Sequence, residues 1–144
     1  MMGDCDLKIF KNIIITIFTS AILFGESFHV SVLGSDETGN GSESNPFASI
    51  QLGLNTCADN DTVIVFAGTY VENINWPSTM SINLIGSGSF DCIIDGDSLD
   101  AVINMVEYPT ATIDTTTKII GFTIQNGMGI GDNGGGIRCI GAGP

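Results

Sequence analysis

The run Asp61-Thr-Val-Ile-Val-Phe-Ala-Gly-Thr-Tyr-Val-Glu-Asn-Ile74 constrains the fold more than any other stretch of the chain. Thr62 to Phe66 is mostly apolar, has no helical spacing and leans to β-branched residues, which together favour a short buried strand over a buried helix. A turn is expected at Gly68, after which a second short strand resumes. The same pattern returns downstream. Ile64, Leu84, Ile103 and Phe122 form one apolar series with separations of 20, 19 and 19 residues, and Ile74, Ile94 and Ile113 form another with separations of 20 and 19. Two interleaved series with a shared period predict a solenoid, in which each coil buries against its neighbours what it could not bury alone. Asn126-Gly127, Ser87-Gly88 and Asp95-Gly96 supply the tolerance of positive φ that tight corners require.

Upstream, Phe28 to Leu33 alternates weakly and predicts an opening strand, followed by a polar loop over Gly34 to Ser44. Asn45 suits a helix N-cap and Pro46 the first helical position, whose N–H would in any case lack a partner. Phe47, Ile50, Leu54 and Cys57 then share one helical face. This predicts a short amphipathic helix over Pro46 to Cys57, covering the first coil.

The 144 residues fit one domain. Four basic residues stand against 16 acidic ones, a formal net charge of -12, which argues against nucleic acid or anionic lipid as a partner. Nineteen glycines are about twice the usual share of roughly 7%, and their lack of a three-residue period excludes collagen and favours a turn-rich β architecture. Ile13 to Gly25 is an apolar run of signal-peptide rather than membrane-spanning length, and Gly25-Glu-Ser27 offers small residues for cleavage after Ser27. Residues 1–27 are therefore read as a leader and 28–144 as an exported module, secreted or at the cell surface, with no membrane span once the leader is gone. Asp4 and Asp6 offset Lys8 and Lys11, a departure from the usual positive leader. Cys57, Cys92 and Cys139 remain after cleavage, an odd number that permits one disulfide and a spare thiol, or three free thiols.

Asn45-Pro-Phe-Ala-Ser-Ile-Gln51 with Gly53, Asp61-Thr-Val-Ile-Val, Ala67-Gly-Thr-Tyr70 with Glu72-Asn73, Asn83-Leu-Ile-Gly86 and Ile93-Ile-Asp-Gly96 occur in this order. Gly121-Phe-Thr-Ile-Gln-Asn-Gly127 and Gly134-Gly-Gly-Ile137 follow. Together these segments resemble the N-terminal part of the right-handed parallel β-helix proteins of the pectin-lyase-like superfamily. The resemblance implies an all-β solenoid with a short N-terminal capping helix. It spans pectin methylesterases, polysaccharide lyases and large surface proteins, among which fold alone does not choose. The catalytic aspartates, arginine and glutamine of the esterases would fall in later coils, and Arg138 lacks an expected carboxylate in register.

No complete catalytic site is therefore read from the chain. Asp91, Asp95, Asp97 and Asp100 cluster around a glycine turn and are candidate Ca²⁺ ligands, with solvated, backbone-capping aspartates as the plainer reading. No other cofactor is expected. Tyr70, Trp76 and Tyr108 are the candidate sugar-stacking residues, against the plainer reading of packing between coils. His29, the single histidine, has no evident Ser/Asp partners. Asn40 and Asn60 open glycosylation sequons. The leading reading is a non-enzymatic surface module that contacts a polysaccharide or another surface protein, and the rival is the N-terminal part of a carbohydrate-active esterase or lyase. Gly134 to Ile140 opens a strand with no capping segment after it, so further coils and self-association near Ile137 are expected.

Overall fold

The computed structural model describes residues 25–106, 115–129 and 134–141. The leader residues 1–24 and Tyr108, Ile113 and Asp132 lie outside them. The described chain is mostly β, with parallel strands and one short helix, α1 (Ile50–Thr56). The strands are β1 (Ser27–Val30), β2 (Thr62–Val65), β3 (Gly68–Val71), β4 (Ile74–Asn75), β5 (Asn83–Gly86), β6 (Cys92–Asp95), β7 (Ile103–Val106), β8 (Lys118–Ile120), β9 (Thr123–Gln125) and β10 (Ile137–Ile140).

They form three sheets ordered β1-β2-β5-β8, β3-β6-β9 and β4-β7-β10, and every pairing is parallel. From β2 onward the chain repeats one itinerary three times, leaving one strand in each sheet on every pass. Alternation within a strand decides which side chains go inward. In β2, Val63 and Val65 are buried while Thr62 and Ile64 are partly exposed. Register then stacks inward residues into columns: Val63–Leu84–Ile119, Tyr70–Ile94–Ile124 and Ile74–Ile103–Ile137.

These columns correct the expected period. Their steps are 21 and 35, 24 and 30, and 29 and 34 residues, because connections of different length join strands of similar length. Ile64 stacks on Ile85 on the outer side, whereas Leu84 and Ile103 belong to different sheets. The regular 19–20 spacing therefore joined residues that do not meet.

Gly68 is the first residue of β3 rather than the centre of a turn, and its N–H donates to the Asp91 carbonyl at 2.7 Å. Glycine is needed because a Cβ there would come within 2.7 Å of Val32. At the expected corners, Asn126 takes φ +53° and Gly88 +151°, but after Asp95-Gly96 it is Asp97 and Ser98 that take +50° and +56°.

The helix is shorter than expected. Ser49, not Asn45, is the N-cap: its backbone is extended and its hydroxyl accepts from Leu52 N–H at 3.2 Å. Phe47 instead continues the sheet, bridging Val30 in parallel fashion. The predicted apolar face is nevertheless the buried one, since Phe47, Ile50, Leu54 and Cys57 all enter the core. Side chains of the size of Ile50 and Leu54, when wholly buried, each contribute roughly 1.5–3 kcal/mol. α1 packs on β1, β2 and β4, so it covers the first pass.

Candidate functional site

The residues singled out in the sequence are placed as follows. Tyr70 and Trp76 are buried in the core, so neither ring offers a face to a ligand. The reason is registry: Tyr70 falls in an inward column, and its hydroxyl donates to the Phe66 carbonyl at 2.9 Å. Burial pushes the Tyr70 hydroxyl up to about 12. The Trp76 Nε1 has no partner among the described residues. Tyr108 lies outside them.

The four aspartates are not assembled around a common point. Asp95 accepts from Asp97 N–H at 3.0 Å and from the Gln125 and Asn126 side chains, each at 2.8 Å. Those three bonds, the backbone one foremost, hold its carboxyl below the usual aspartate range. Asp100 is engaged by Arg138, while Asp91 and Asp97 are exposed. Among the described residues no three His, Cys, Asp or Glu side chains converge in a way that could hold a metal ion.

Arg138 has no carboxylate in register, where Asn104 stands, but it reaches one in the loop before β7. Its Nη1 donates to Asp100 Oδ1 at 3.0 Å and its Nη2 to Oδ2 at 3.4 Å. Its Nε donates to Asn104 Oδ1 at 3.0 Å. This belongs to a longer row. Register places Asn75, Asn104 and Arg138 at successive outward positions of the sheet β4-β7-β10, beside the inward column Ile74–Ile103–Ile137. Asn104 Nδ2 donates to Asn75 Oδ1 at 3.2 Å. At the helix end, Gln51 Nε2 donates to the Asn75 carbonyl at 2.9 Å and Gln51 Oε1 accepts from Asn75 N–H at 2.8 Å. The Gln51 carboxamide thus satisfies the free edge of β4 as a neighbouring strand would.

Asn75, Asn104 and Arg138 consequently line one flank at the roughly 4.8 Å interval that separates strands, with the helical Gln51 carboxamide beside Asn75. Such a row presents donors and acceptors at fixed spacing and suits hydroxyl-rich ligands. It contains no paired nucleophile and base. His29 Nδ1 lies 3.4 Å from the Gly41 carbonyl, and its ring leans on Phe66. Cys57, Cys92 and Cys139 are free. Burial, with Asp61 adding to it, pushes the Cys57 thiol up to about 12, and burial also raises Cys92, so neither forms a ready thiolate. The repeated dipeptides Ile74-Asn75 and Ile103-Asn104, with Ile137-Arg138 after them, were the available signal for this row. They mark an inward residue followed by an outward polar one. No helix among the described residues is long and apolar enough to cross a membrane. No protein-family model, no curated protein and no solved structure matches this chain.

Proposed function

We propose that the chain is a right-handed parallel β-helix module of the pectin-lyase-like kind, exported to the cell exterior, which binds an uncharged polysaccharide along the row Gln51–Asn75–Asn104–Arg138. The observation that carries this reading is that row, on an outward flank of a three-stranded sheet. Support for the coil comes from the common itinerary through three parallel sheets, and for its hand from the strong preference of parallel crossovers for the right-handed path. Asp100 neutralises Arg138, and the net charge of -12 repels acidic sugars, so neutral glycans are the favoured class. Export rests on the short apolar run over Ile13 to Gly25. Ser27 opens β1 in the first sheet, and Thr62 N–H donates to the carbonyl of Glu26 just before it at 2.8 Å. Cleavage after Ser27, the expected site, leaves Phe28–Val30 of β1 on the exported part.

Retention of the protein on immobilised neutral glucans and mannans tests the reading. The unmodified protein is expected to be retarded on at least one of them, and the Asn75→Ala/Asn104→Ala double variant to elute with the void while keeping its circular dichroism. Equal retention of both proteins, or passage of the unmodified protein through every column, contradicts it.

A further inference from the structure

We infer that Asp100 sets which sugars the row accepts: by holding the Arg138 guanidinium it turns away carboxylate-bearing glycans, and neutralising it opens the row to uronate-rich chains. This rests on the reading of the row as a glycan site, and it places the preference for neutral sugars in one ion pair rather than in the charge of the whole chain. The Arg138 Nε donates to Asn104, and its Nη1 and Nη2 donate to the two carboxylate oxygens of Asp100. A guanidinium is the donor best matched to a carboxylate, because its planar fork meets both oxygens at once. Here the fork is filled from within the chain. The Arg138 side chain is 14% exposed and that of Asp100 39%, so the anionic member of the pair is the one an approaching ligand meets first. A neutral hydroxyl can hydrogen-bond to that carboxylate, whereas a uronate is repelled by it.

Asp100 is also held in place independently of Arg138. It stands in the connection between β6 and β7, where its carbonyl accepts from Met128 N–H at 2.9 Å and from Asn73 Nδ2 at 3.3 Å. The Asn73 Nδ2 lies within hydrogen-bond distance of the Gly96 and Ala101 carbonyls as well, at 3.1 and 3.3 Å, and Ala101 N–H donates to Asp100 Oδ1 at 2.8 Å. The connection is therefore pinned both from the corner between β3 and β4 and from the segment after β9. A carboxylate fixed in this way competes for the guanidinium as an intramolecular ligand, at an effective concentration that a free glycan carboxylate does not match.

Retention of the full chain on an immobilised polyuronate, run beside the neutral glucans and mannans, tests this on the unmodified protein, Asp100→Asn, Asp100→Asn/Arg138→Gln and Glu43→Gln. Asparagine keeps an oxygen for Ala101 N–H while removing the charge, and Glu43 is an exposed carboxylate of the loop over Gly34 to Ser44. Asp100→Asn is expected to gain at least about fivefold in retention on the polyuronate, a gain that added salt removes and the double variant lacks. Its retention on the neutral glycans should change by less than about twofold, because uncharged hydroxyls do not depend on the missing charge. Glu43→Gln, which loses one negative charge without touching the pair, should gain nothing. No gain in Asp100→Asn with its circular dichroism unchanged overturns the inference, as does an equal gain in Glu43→Gln or in the double variant. Should Asp100→Asn lose its circular dichroism, Asp100→Ser, whose hydroxyl still accepts from a backbone N–H, decides by the same comparison. The neutral columns judge the glycan reading and the polyuronate column judges the role of Asp100, so failure of one is distinct from failure of the other.

Discussion

The two ends of the stacked passes contain the same kinds of strand but are finished differently. At the first pass, α1 lays Ile50 and Leu54 over the core, and two carboxylates from other segments anchor the helix start. Asp36 accepts from Ala48 and Ser49 N–H at 2.7 and 3.0 Å, and Glu72 accepts from Ile50 and Gln51 N–H at 2.9 Å each. Asp61, itself buried, ties Ala58 and Glu26 N–H to the corner before β2, at 2.7 and 2.6 Å. Nothing equivalent covers β8 to β10 among the described residues. One column, Ile74–Ile103–Ile137, therefore runs from a wholly buried residue near α1 to a half-exposed one in β10. Stability is expected to depend on position along that column more than on residue type.

The largest predicted contrast lies within the column. Ile103→Ala should cost about 2–5 kcal/mol by loss of burial and creation of a cavity, and Leu54→Ala a similar amount at the covered end. Ile137→Ala should cost well under half of that, since its side chain already meets solvent. Urea unfolding of the three variants measures this, and equal losses at Ile103 and Ile137 would break the comparison. Next in size is Asp61→Ala, expected to cost roughly 1–3 kcal/mol by stranding two backbone donors, again read from urea midpoints.

Two smaller effects sharpen the picture of the closed end. Burial raises the Glu72 carboxyl above its ordinary value of 4.5, against the hydrogen bonds from Ile50 and Gln51. The folded state then binds the proton more tightly than the unfolded one. The Glu72 contribution is fullest below 4.5 and declines as pH rises through the folded pKa. Burial alone would also raise Asp36, but hydrogen bonds from Ser49 and Ala48 outweigh it and hold that carboxyl below 3.8. Its contribution is present above 3.8 and is lost as pH falls. The stability gap between wild type and Glu72→Gln should therefore narrow toward neutral pH, and the gap to Asp36→Asn should narrow toward acid. Denaturant titrations between about pH 3 and 7 would show these opposite slopes, and parallel slopes would contradict the assignment. The smallest effect is that of Gln51→Ala, expected to cost about 1 kcal/mol for the lost edge pairing of β4. Chemical denaturation with a shift below measurement error would remove Gln51 from the account of the closed end.

Much of this architecture was legible in local pattern. The strand over Thr62 to Val65, the buried face of the helix and the apolar strands after it follow from residue type and alternation, which act over a few residues. The spacing between passes did not follow from these, because connections of unequal length separate Leu84 from Ile119 and Val63 from Leu84. The helix start was misread because Asn45-Pro46 has good capping chemistry, yet Phe47 gains more by bridging to Val30. The outward row was missed for a similar reason. Gln51 reaches Asn75 across 24 residues, and Arg138 reaches Asp100 across 38, so their roles depend on register between distant strands. Tyr70 faces the core for the same kind of reason, since a one-residue change of phase decides whether a strand residue faces core or solvent.

Native-state hydrogen exchange, read amide by amide along each column, tests the difference between the two ends most directly. Protection is expected to be greatest for the strands that have neighbours on both sides, at Val63, Leu84, Ile94 and Ile103. It should drop by at least tenfold at Ile119, Ile124 and Ile137, whose strands pair on one side alone among the described residues. Protection at Ile137 equal to that at Ile103 would contradict the contrast between the buried and the half-exposed residue of this column.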